Sequence, residues 1–249
     1  MSERVALFVP CFVDQLYPGV AVAALRVLER LGVQVVVRDG AVCCGQPMAN
    51  AGFVHEAEPV LARWVRTFGD VRRVVVLSGS CAAHVRAHAP ALAQDGQRVA
   101  ERTVEFTEYL HDVIGVDALA PLGATFPRRV AIHVGCHGLR ALELARASEL
   151  QRPPRSKVQA VLEAVGGISF APLRRPDECC GFGGSFSVSE AAVSTKMGRD
   201  RLRDVQESGA EALVSTDMSC VMHLRGVSDQ APTPMALLHV AEVLATGLA

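Results

Sequence analysis

The sequence lacks any block of like charge. Its 26 acidic and 25 basic residues are dispersed along the chain and leave a formal net charge of -1. That pattern offers no basic face for nucleic acid or an anionic membrane. Lysine is nearly absent, with only Lys157 and Lys196, a bias we attribute to codon usage and not to function. No apolar run approaches the roughly 20 residues that a membrane-spanning helix needs. Met1-Ser2-Glu3-Arg4 is not a basic segment ahead of a long apolar one, so no leader is expected and the cytoplasm is the expected compartment. The glycine fingerprints of nicotinamide and flavin sites are missing as well. So is any Cys-x-x-Cys, which argues against a thiol–disulfide switch.

Cysteine, by contrast, is organised. The eight cysteines fall into two sets of four with one repeated layout: Cys11, Cys43-Cys44-Gly45 and Cys81 with His84 three residues later, then Cys136, Cys179-Cys180-Gly181 and Cys220 with His223 three residues later. In a reducing compartment clustered cysteines point to metal binding, not to a disulfide frame. Thiolates select zinc, cuprous copper or iron–sulfur centres, so the count is two metal sites.

Hydrophobic patterning places these residues. Buried strands are expected at Val5–Pro10, Val33–Val37 and Val74–Leu77, and helices at Pro18–Leu31, Phe53–Phe68 and Thr103–Ile114. The second half repeats the order with strands at Val130–Val134, Ile168–Ala171 and Ala212–Ser215, and helices at Lys157–Val165, Glu190–Ser208 and Pro234–Leu244. Alternating strands and helices imply parallel sheets, here as two similar Rossmann-like α/β domains related by a pseudo-two-fold duplication. The Pro/Gly-rich stretch Ala118–Arg129 sets the division at residues 1–122 and 123–249. Every cysteine is then expected in a loop just after a strand, at the carboxyl edge where open parallel sheets bind ligands. Cys81 and Cys220 are expected to begin helices, whose positive ends favour thiolate.

Adjacent cysteines suit a cluster with several metal atoms better than one small ion, because neighbouring side chains diverge along an extended backbone. Gly45 and Gly181 permit the tight turn, and Gly183 and Gly184 in Gly181-Phe182-Gly183-Gly184-Ser185-Phe186 provide backbone that can wrap an anion or a cluster. His133 and His137 flank Cys136, where they either tune the centre and pass protons or lie on the surface. His137 is counted with the cofactor-binding residues, and His84 and His223 are candidate additional ligands. His55, His88, His111 and His239 have no place in the pattern and are read as structural.

The repeated Cys, Cys-Cys-Gly, Cys-x-x-Cys-like layout resembles that of the cysteine-rich CCG domain proteins. Among these are the cysteine-rich subunit of heterodisulfide reductase, the iron–sulfur subunit of glycolate oxidase and, nearest in length and layout, the lactate utilisation protein A family. His133-Val134-Gly135-Cys136-His137, Cys179-Cys180-Gly181-Phe182-Gly183-Gly184 and Asp217-Met218-Ser219-Cys220-Val221-Met222-His223 look like that family's second-domain signatures. The resemblance implies an iron–sulfur electron-transfer subunit, with [4Fe-4S] clusters, of a multi-protein system oxidising L-lactate or glycolate. It implies two partner subunits, one carrying ferredoxin-type clusters, and leaves catalysis by this chain itself open. The last Cys of each motif is replaced by His84 or His223, and the cysteine intervals are 31 and 36 residues in the first half but 42 and 39 in the second. A zinc-stabilised assembly module and a heterodisulfide-reductase-like catalytic cluster subunit are the alternatives.

Overall fold

Val5 to Phe8 place one apolar side chain after another, which suits a strand covered on both faces. In the computed structural model, which describes residues 3–40, 43–92 and 94–248, this run is a strand near the centre of a sheet. The first half runs β1 (Arg4–Phe8), α1 (Cys11–Leu16), α2 (Pro18–Arg30), β2 (Gln34–Val37), α3 (Gln46–Asn50) and α4 (Val54–Phe68). It continues with β3 (Val74–Val76), α5 (Gly79–His88), α6 (Gln94–Arg102), β4 (Thr103–Glu105) and α7 (Phe106–Glu108). The second half has β5 (Arg129–His133), α8 (Cys136–Arg140), α9 (Lys157–Leu162), β6 (Ser169–Phe170) and α10 (Phe186–Ser189). It closes with α11 (Ala191–Glu207), β7 (Ala212–Ser215), α12 (Met218–Ser228), β8 (Ala236–His239) and α13 (Val240–Leu244).

Both sheets are parallel and share one strand order, β2-β1-β3-β4 and β6-β5-β7-β8. The expected α/β fold with its internal duplication is therefore present. Its axis passes close to Ser78 and Asp217, equivalent residues that pair with each other in an antiparallel bridge. Packing follows the same symmetry: α5 meets α8 while their equivalents α12 and α1 meet each other, and α2 lies on α13 as α9 lies on α7. One continuous buried cluster runs from Val5 and Trp64 through Leu119 and Leu122 to Val130, Val161 and Val243. The halves share a core, and Lys157 of α9 ties them further through ion pairs to Asp112 and Glu108.

Two expected helices begin too early. Thr103–Glu105 and Ala236–His239 are fourth strands, and helix follows only after them. Both strands are too short to show a period of two, and each runs without a turn into a helix whose apolar residues extend the pattern. The signal that separates them is a capping box: Glu105 with Glu108, and His239 with Glu242. Beyond α7 the chain makes a π-helical turn, Tyr109–Ile114, and then a 3-10 helix, Val116–Leu122, whose Leu119 and Leu122 are buried. Among the described residues no helix is long and apolar enough to cross a membrane.

Candidate metal centres

The strand ends deliver the cysteines, though not all into loops. Cys11 and Cys136 are the first residues of α1 and α8, and Cys81 and Cys220 lie in the first turns of α5 and α12. Those two turns are fixed by equivalent N-caps: Ser78 Oγ accepts from Cys81 N at 3.3 Å, and Asp217 Oδ1 accepts from Ser219 N at 3.0 Å. Cys43-Cys44 and Cys179-Cys180 occupy irregular segments ending in Gly45 and Gly181, each at φ +94. That left-handed conformation is the reason for glycine. It turns the Gly45 and Gly181 N–H groups onto Cys43 Sγ at 3.4 Å and Cys179 Sγ at 3.3 Å, while Phe182 N–H donates to Cys180 Sγ at 3.4 Å.

Within each set the thiols contact one another in the same sequence. Cys11 meets Cys43, Cys43 meets Cys44 and Cys44 meets Cys81; likewise Cys136 meets Cys179, Cys179 meets Cys180 and Cys180 meets Cys220 at 3.2 Å. The hydrogen bonds from Cys11 and Cys136, joined by those from Cys44 and Cys180, hold the Cys43 and Cys179 thiols far below the ordinary thiol range. Donation, then burial, pushes Cys11 and Cys136 well above it. Cys44 and Cys180 rise through the same contacts, and the hydrogen bond from Cys180 brings Cys220 down to about 7. The sulfurs of each set touch in succession, and among the described residues only Cys180, Cys220 and His133 bring three ligand atoms within 4.8 Å of one another. Thiols stabilised as anions by backbone N–H groups are the donor type that suits a soft metal.

The histidines differ between the halves. His84 is buried beside Cys43 with Nε2 unpartnered among the described residues, and burial first, then His88, lowers its pKa to about 4. The equivalent His223 instead turns to Ser194, with Nε2 3.4 Å from Oγ and 3.3 Å from the carbonyl oxygen. His137 meets Gln46 across the halves, Nε2 to Nε2 at 3.3 Å. His133, only a flank of Cys136 in sequence, is 1% exposed and stands with Cys180 and Cys220 in a triad whose ligand atoms all lie within 4.8 Å of one another.

Both sets open onto one cavity of about 550 Å³ between the halves. Cys11, Cys44 and Cys81 line it from one side and Cys136, Cys179, Cys180 and Cys220 from the other. Gly183, Gly184 and His137 also line it, whereas Gly45 and Gly181 stand behind the cysteines and shape the turns. Asp217 lies at the junction. Its Oδ2 accepts from Ser78 Oγ at 3.0 Å and Ser80 N at 2.8 Å, and its Oδ1 from Ser219 Oγ at 2.6 Å. Burial works to raise this carboxyl, but the donors from Ser219 and Ser80 outweigh it and keep it below the ordinary carboxylate range. The contacts of Gln46, Asp217 and Ser78 across the halves have no signal in the sequence.

Twofold-repeated α/β architecture with a Cys-Cys-Gly turn at each sheet edge defines a class of cysteine-rich proteins, and family comparison agrees. The cysteine-rich domain family (CCG) matches residues 5–86 and again 130–225, and the chain belongs to it. It is 36% identical over 248 residues to lactate utilization protein A of Bacillus subtilis strain 168, covering 97% of this chain and 98% of that protein. It is 34% identical over 247 residues to the lactate utilization protein A of Bacillus licheniformis, with the same coverage.

Proposed function

We propose that this chain is the iron–sulfur electron-transfer subunit of a multi-protein system oxidising L-lactate, with glycolate as the alternative substrate. Cys11, Cys43, Cys44 and Cys81 hold one centre and Cys136, Cys179, Cys180 and Cys220 the other, in domains 1–122 and 123–249. The observation that carries this reading is that seven of the eight cysteines line one cavity, with Cys43 joined to it through its contacts with Cys11 and Cys44. The relatives named for lactate utilisation supply the substrate. When bound, the clusters, of [4Fe-4S] type in this reading, supply one-electron chemistry. The chain sets their charge, hydrogen bonding and spacing. Two partner proteins, one with ferredoxin-type clusters, would deliver and remove electrons.

Anaerobic purification followed by iron, sulfide and zinc analysis tests the reading, beside lactate-dependent dye reduction by the chain with its two partners. Iron and sulfide in equal amounts, with turnover that requires this chain, is the expected result. Stoichiometric zinc without iron would overturn it. The compact His133–Cys180–Cys220 triad favours a second reading for that site alone, because two thiolates and one imidazole within 4.8 Å also suit a single zinc ion that takes its fourth ligand from Cys136 or Cys179. The same metal analysis separates the two.

A further inference from the structure

His133 closes β5, three residues before Cys136. At 1% exposure neither ring nitrogen has a hydrogen-bond partner of good geometry among the described residues. The nearest group able to take one is the Cys220 sulfur, whose thiol pKa His133 helps to lower. An imidazole used only as core filling normally finds at least one partner, since an unpaired polar atom away from water is costly. Here the ring faces sulfur: its ligand atom, Cys180 Sγ and Cys220 Sγ lie within 4.8 Å of one another, and His133 also lies near Cys179.

The duplicated fold provides an internal control. Phe8 holds the same register in the first half, since β1 pairs Phe8 with Val76 as β5 pairs His133 with Ser215, and Cys11 follows Phe8 as Cys136 follows His133. Phe8 is plain core, packed edge-on against Trp64 and Phe68 with ring centroids at 5.5 and 5.9 Å. A fold that accepts an apolar ring at this register has no packing need for histidine. The motif position His223, meanwhile, is engaged by Ser194.

We propose that His133, and not His223, is a direct ligand of the metal centre held by Cys136, Cys179, Cys180 and Cys220. This rests on the reading of that cysteine set as a metal site. A neutral imidazole in place of a fifth thiolate leaves the centre less negative and its reduced state easier to reach, the direction in which histidine ligation shifts iron–sulfur potentials. The second centre thereby differs from the first by ligand chemistry as well as by position.

The test uses the full chain labelled with 15N-histidine and reconstituted anaerobically with iron and sulfide. Metal and sulfide content and pulsed paramagnetic resonance are read on the wild type and on the variants H133F, H133C, H223Q and H84L. The wild type should show strong coupling to a bound histidine nitrogen, lost in H133F and H133C and retained in H223Q. H84L identifies and subtracts any contribution from the first site. H133C should keep its iron while its midpoint potential falls, which keeps the result readable should H133F fold poorly. Full metal content with the coupling intact in H133C, or its loss in H223Q, overturns the proposal alone. A wild-type chain with no metal at the second set overturns the functional reading and the proposal with it.

Discussion

The two halves share strand order, Cys-Cys-Gly turns and the sequence of thiol contacts, yet they differ at several positions beside the sulfurs. Where the first half has Phe8, Ser78 and an unpartnered His84, the second has His133, Asp217 and a His223 tied to Ser194. Backbone geometry delivers the thiolates in both. What surrounds them sets charge and access, and the halves differ there as well as in the lengths of their connections. A duplicated scaffold thus presents two cysteine sets with unequal surroundings to one cavity.

The strongest way to break the comparison is to remove one sulfur from each set. Cys179→Ser should abolish the spectroscopic signal of the second centre and reduce lactate-dependent dye reduction to background, while far-ultraviolet circular dichroism stays unchanged, because Cys179 is only half-buried. Cys43→Ser is the matching variant for the first centre. Cys180→Ser is less clean: Cys180 is 3% exposed in an apolar cluster, and burying a hydroxyl there costs about 1–3 kcal/mol. Unchanged spectra and turnover in Cys179→Ser would remove it from the centre. Collapse of the fold together with loss of metal would instead mark a structural zinc site.

Next in size are the paired turns. Gly45 and Gly181 have the same φ, so alanine at either meets the left-handed penalty of about 1–2 kcal/mol. Their surroundings differ: a Cβ on Gly181 would stand 2.6 Å from Ser194 O and 2.8 Å from Met197 Cβ, whereas on Gly45 its nearest neighbour is Ala57 O at 3.2 Å. Gly181→Ala should therefore destabilise more than Gly45→Ala. Urea midpoints of the two variants compared side by side decide it, and equal losses would show that the α11 contact yields.

Much of this comparison is legible in the sequence, for identifiable reasons. Repeated cysteine spacing announces both sets, and long apolar periods announce β1, α2, α4 and α11. The fourth strands are hidden because Thr-Val-Glu and Ala-Leu-Leu-His are short and fuse with helical patterns. The helical setting of Cys11 and Cys136 escapes notice because α1 and α8 span only one or two turns. The shared cavity, the Gln46–His137 contact and the direction of His133 depend on how the halves meet and on side-chain packing, which spacing along one chain does not encode.

Asp217 offers a finer test of that meeting. Asn at this position would aim an amide at four donor contacts now satisfied by a carboxylate, so Asp217→Asn should cost about 1–3 kcal/mol and weaken the contact between halves. Ser78→Ala removes one side-chain partner of Asp217 together with the cap on α5, and should cost about 1 kcal/mol. A wild-type urea midpoint in Asp217→Asn would show that the junction is held by apolar packing alone.

The effect that depends most on conditions is a pair of opposite pH slopes from the two equivalent caps, Glu105 and His239. Burial raises Glu105 to about 8, so between pH 4.5 and 8 the unfolded chain releases a proton that the folded chain keeps. Stability from this group is full below 4.5 and is lost as pH rises through that window. His239 runs the other way: burial lowers it to about 4, and its neutral Nδ1 accepts the Ala241 N–H at 3.1 Å. Its contribution is full above 6.5 and is lost as pH falls toward 4, because the unfolded imidazole takes up a proton that the folded one refuses. Each slope is at most about 1.4 kcal/mol per pH unit. The two slopes oppose each other between pH 4.5 and 6.5. Glu105→Gln should therefore abolish the fall between 6.5 and 8 and leave a net rise from 4.5 to 6.5, whereas His239→Asn, which can still cap α13, should leave a fall across 4.5 to 8. Urea midpoints at steps from pH 4.5 to 8.5 for wild type and both variants read the difference directly. Parallel profiles for wild type and Glu105→Gln would mean that the buried carboxyl already ionises in the folded chain, its charge held by the Thr107 and Glu108 N–H groups.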